Sequence, residues 1–60
     1  MNDKLVTEAK GLSPQDLRDA LRWHKALAEH YDENMDFNGY NRSTEKVDII
    51  KNELRSRGEL

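Results

Sequence analysis

Ligand chemistry in this sequence is concentrated in one stretch, Asn34 to Glu45, which reads NMDFNGYNRSTE. Asn34, Asp36 and Asn38 alternate along it, and Glu45 follows Gly39 at the far end. Oxygen-bearing side chains in that pattern can surround a hard divalent cation, with the backbone carbonyl of Tyr40 as a further ligand. Imidazole chemistry is confined to His24 and His30. On one helix their separation is about 240° of rotation, so they cannot chelate an ion from a single face. No nucleophile–base pair and no glycine-rich phosphate loop stands out, and the absence of cysteine removes disulfides and thiolate zinc sites together. Neither an enzyme nor a bound cofactor is expected.

Helices must position these groups. Ser13 is a good cap, Pro14 suits the first helical position, and Asp16 meets the positive end of the helix dipole. Leu12 and Leu17 have the spacing of a hydrophobic staple around that start. Leu17, Ala20, Leu21, His24, Leu27, Ala28 and Tyr31 then recur at helical steps as one stripe, with Trp23 roughly 100° off it. Val47, Ile50 and Leu54 form a second stripe, with Ser43 as its cap, Gly58 beyond its end, and Ile49 pointing elsewhere. The expected fold is all-α: an antiparallel helical hairpin of about 14–32 and 44–57 joined by a loop over 33–43, with a short N-terminal helix over about 3–10. Asn38-Gly39 serves as the turn dipeptide of that loop. Tyr31 then falls near Val47, Leu27 and Ala28 near Ile50, and His24 near Leu54. Leu17 and Leu21 overhang the second helix, to be covered by Leu5, Val6 and Leu12 or by a second copy.

With helices on both sides, the stretch from Asn34 to Glu45 resembles the loop of an EF-hand. The resemblance implies calcium held by side-chain oxygens of Asn34, Asp36 and Asn38, the carbonyl of Tyr40 and a bidentate Glu45, with Gly39 at the sharp turn. Asn34 stands where that family has aspartate, Asn41 where it has a branched apolar residue, and Arg42 adds positive charge at the ninth position. Only Asp36 and Glu45 would be ionised, so the sequence predicts no structural requirement for calcium.

Composition directs attention to partners. Of 60 residues 35% are hydrophobic and 37% charged, so one small core is all the chain can build. A net charge of −2 gives no global pull toward nucleic acid or an anionic membrane. Arg42, Lys46, Lys51, Arg55 and Arg57 are interleaved with Glu45, Asp48, Glu53 and Glu59, and a ten-residue connection is too long for a helix-turn-helix. Nucleic-acid binding is therefore not expected. No apolar run approaches the roughly 18 residues of a membrane span, and the start of the sequence has no secretory core; a cytoplasmic location is expected. The remaining class is a protein-interaction or regulatory module, because Trp23 and Ile49, with Met35, Phe37 and Tyr40 in the loop, are more apolar surface than a hairpin can bury. Leu17, Leu21, Trp23, Leu27, Phe37, Tyr40 and Ile49 are the predicted contacts, for a protein partner or for a two-fold dimer through Leu17, Leu21, Trp23 and Leu27.

Overall fold

A computed structural model describes residues 3–60, Asp3 by its backbone alone. Three helices follow one another, α1 (Asp3–Lys10), α2 (Pro14–Glu33) and α3 (Phe37–Ser56), and the described residues contain no strand. The fold is all-α, as expected, and α2 and α3 form its hairpin.

The start of α2 follows its local signals. The Ser13 hydroxyl accepts from the Asp16 amide at 3.1 Å, and the Ser13 carbonyl takes the first helical bond, from Leu17 N at 2.9 Å. The other end of α2 corrects the sequence reading. The expected loop over 33–43 shrinks to Asn34, Met35 and Asp36, because α3 starts at Phe37 and not near Thr44. Two local devices make so short a connection possible. Met35 takes a left-handed conformation (φ 57°), which lets Met35 N donate to Asp32 O at 3.1 Å and Asp36 N to Tyr31 O at 2.8 Å. These paired bonds satisfy the last carbonyls of α2. Asp36 then caps α3, its carboxylate accepting from Gly39 N at 3.0 Å.

The earlier start slides α3 along α2. Tyr31 packs on Gly39 instead of Val47, and His24 shares a groove with Lys46 instead of Leu54, a displacement of about two helical turns. Both helices now have 20 residues, so Leu17 no longer overhangs. It is fully buried in a cluster with Ala9, Ile50 and Leu54, and Ala20, Leu21 and Ile49 pack at its edge. Burying such a leucine contributes roughly 1.5–3 kcal/mol.

Helix α1 lies mainly on α3. Ala9 is its buried residue, while Leu5 and Val6 are half-buried and Leu12 is exposed. Arg57 ties the helix down from the far end of the chain. Its guanidinium donates to the carbonyls of Leu12 (2.7 Å), Lys10 (2.9 Å) and Ala9 (3.2 Å), and pairs with Glu53 at 3.6 Å. The orphan carbonyls at the end of α1 thus find donors in a side chain remote in sequence.

Candidate functional site

The residues predicted to act together are dispersed by the fold. Leu17 belongs to the core, which removes it from any exposed self-association face. Leu21 and Leu27 are half-buried. Trp23 is 63% exposed on α2, about 120° around the helix from Leu17. Ile49 is half-buried against α1, lining grooves with Val6 and Lys10 on one side and with Leu5 and Ala9 on the other. Phe37 and Tyr40 lie at the hairpin tip, with Tyr40 about 180° around α3 from Ile49.

The stretch that resembles a calcium loop has another geometry. Its residues from Phe37 onward are helical. Asn38 and Glu45 are therefore separated by about 10 Å along the axis at 1.5 Å per residue, too far to share an ion bound at about 2.4 Å. Asp36 is occupied as the cap of α3, and the Asn34 side-chain amide donates to His30 O at 2.8 Å. No group of three or more His, Cys, Asp or Glu side chains is placed to hold a metal ion among the described residues. Gly39 sits inside α3 because a Cβ there would lie 2.7 Å from the Tyr31 ring, and not because the chain turns at that point.

The connection length that counted against a helix-turn-helix also has to be corrected, since the connection is three residues long. A different feature separates this hairpin from that motif. Tyr31 meets Gly39 at one end and Arg18 pairs with Glu59 at the other, so α2 and α3 lie side by side along their length. Helices crossing at about 90–120° would diverge.

Two surfaces emerge from this geometry. The first is the apolar tip: Met35 is 74% exposed, Phe37 65% and Tyr40 38%. Its backbone is held on both sides by the bonds ending α2 and by the Asp36 cap. Sequence reading counted Met35 with Phe37 and Tyr40 as surplus apolar surface, but took only Phe37 and Tyr40 as contacts; the left-handed backbone that presents Met35 has no signal in composition.

The second surface is a groove of about 160 Å³ between α2 and α3 that includes His24, Tyr31, Arg42, Ser43 and Lys46. The Nδ1 atom of His24 is buried with no hydrogen-bond partner among the described residues. Burial, and secondarily the Lys46 ammonium, hold the ring below its ordinary pKa of 6.5. Glu8 of α1 faces the adjoining groove with His24 and Lys46 but forms no ion pair with either among the described residues. No described helix is long and apolar enough to cross a membrane. No family model, curated protein or solved structure matches the chain, so its function has to be argued from these two surfaces.

Proposed function

We propose that this chain is a small non-enzymatic docking module that binds a protein partner through the apolar tip of its hairpin. Met35 carries the reading. A left-handed backbone costs an L-residue about 1–2 kcal/mol relative to glycine, and burial does not repay that cost, since the side chain is 74% exposed. The equivalent position after α3 is Gly58, at φ 74°. A methionine kept at a strained, solvent-facing position next to exposed Phe37 is accounted for by contact with something else. Methionine and aromatic side chains are enriched at docking surfaces, where they add apolar area and adapt to shape. The chain would act by occupying a partner, as regulatory modules do, and no cofactor enters that mode of action.

A pull-down from the source cell with wild type, Met35→Gly, Phe37→Ser and Trp23→Ser tests this, each variant first checked for helicity. We expect one retained protein to be lost with Phe37→Ser and weakened with Met35→Gly, although the latter folds more stably. Equal retention by all four overturns the tip. Loss with Trp23→Ser alone moves the site to the outer face of α2. Sedimentation equilibrium in parallel separates a foreign partner from a two-fold dimer through Leu21, Trp23 and Leu27.

A further inference from the structure

We propose that the groove between α2 and α3 beside His24 is a binding site for a phosphate-class oxyanion, held by Arg42, Lys46 and the His24 ring. The proposal is independent of the apolar tip. Arg42 and Lys46 are one helical turn apart on α3 and line the same groove, and neither has a carboxylate partner among the described residues. Like charges at that spacing repel, a cost that an anion between them would reverse. No aspartate or glutamate lines this groove; Glu8 faces the adjoining groove on the α1 side, and Glu45, beside Lys46 in sequence, lines another groove of α3.

The imidazole supports the same conclusion. Nδ1 is sealed and without a partner, so a bond from the ring to an anion has to run through Nε2. In the tautomer that carries its proton there, the neutral ring donates without being charged. The buried Ser43 and the Tyr31 ring, seated against Gly39, complete the walls. The candidate donors thus come from two helices that flank the groove. A tetrahedral oxyanion can offer an oxygen to each, whereas a planar carboxylate offers two in one plane.

The experiment is an NMR titration of the intact protein with inorganic phosphate at constant ionic strength, following the ring resonances of His24 and His30. Saturable shifts are expected at His24 and not at His30, with the His24 pKa rising as phosphate binds, because an anion favours the charged ring. Arg42→Gln and Lys46→Gln should each weaken binding about tenfold, the loss of one charge-assisted contact. Circular dichroism checks that both variants remain folded. O-phosphoserine tells the source of the phosphoryl group. Binding comparable to phosphate supports a site open to esters, and exclusion supports one for the free ion. Acetate binding as tightly as phosphate, equal shifts at both histidines, or no effect of either substitution would overturn the site.

Discussion

Gly39→Ala is the substitution on which the register of the hairpin depends most directly. In an ordinary helix interior the change stabilises by about 0.8–1 kcal/mol. Here the added methyl would meet Tyr31 Cδ1 at 2.7 Å, and Cε1 and Cγ at 2.8 Å. A ring is not a flexible chain end that can swing aside, so Tyr31 or α3 must move. Overpacking of that kind costs about 1–3 kcal/mol. The difference predicts that Gly39→Ala destabilises by roughly 0–2 kcal/mol. The sign should reverse in a Tyr31→Ala background, where the methyl meets no ring and the helix preference for alanine reappears. Urea denaturation of the four proteins in the cycle measures the coupling, expected near 1–3 kcal/mol. Each 1 kcal/mol corresponds to about 4–8 °C in Tm for so small a domain. The Gly39 Hα resonances should also be displaced upfield by the ring in wild type and return in Tyr31→Ala. Stabilisation by Gly39→Ala in both backgrounds would refute the contact, and with it the two-turn shift of α3 along α2.

Three other outcomes follow from the same structure. Met35→Gly should stabilise by about 0.5–1 kcal/mol, relief of the left-handed backbone less the extra freedom glycine gives the unfolded chain; a loss of stability in urea would mean that the exposed side chain packs after all. Arg57→Ala should cost about 1–2 kcal/mol and raise amide exchange in α1 more than in α2, with Arg57→Lys recovering only part, because an ammonium cannot reproduce the guanidinium fork. The folded state prefers His24 neutral, so its contribution to stability is fully present above pH 6.5 and declines as pH falls toward the lowered folded-state value, below which it changes no further; thermal melts of His24→Gln across that window should lack this part of the slope, and an unchanged slope would show that the ring is not buried in its neutral form.

What the sequence disclosed and what it hid divide along the range of the interactions. The start of α2 was legible because Ser13, Pro14 and Asp16 act within one turn. The later stripe of α3 was legible for the same reason, since Val47, Ile50 and Leu54 repeat at helical spacing and are buried. The first two turns of α3 were not. Asn38-Gly39 has turn composition, and only the opposing Tyr31 ring, on another helix, explains why glycine stands inside a helix. A pattern was nevertheless present. Gly39 and Ser43 continue the line of Val47, Ile50 and Leu54 backward, and the smallness of those two residues concealed it. From that misplaced start came the other departures: an overhanging Leu17, a loop fit for calcium and a connection too long for a helix-turn-helix. Of the site residues, Met35, Phe37, Tyr40 and Trp23 were recognisable as apolar surplus. The left-handed backbone at Met35 and the His24–Arg42–Lys46 groove depend on a backbone angle and a helix register that composition does not encode.

The grip of Arg57 on the carbonyls of Leu12, Lys10 and Ala9 gives the chain an order of assembly. Helices α2 and α3 can meet by closing a three-residue connection, a fast and local event. Helix α1 has its carbonyl partner 45 to 48 residues away in sequence, so it gains that anchor only after α2 and α3 have been made and folded back. During synthesis α1 therefore emerges before α2 and α3 and docks after them. Until then the underside of Leu17 is left open to solvent, to chaperones or to a neighbouring nascent chain. Proteolytic trimming after Ser56 would remove this grip and loosen α1, although Ala9 would keep its packing against Leu17, Ile50 and Leu54, so the damage would appear far in sequence from the cut.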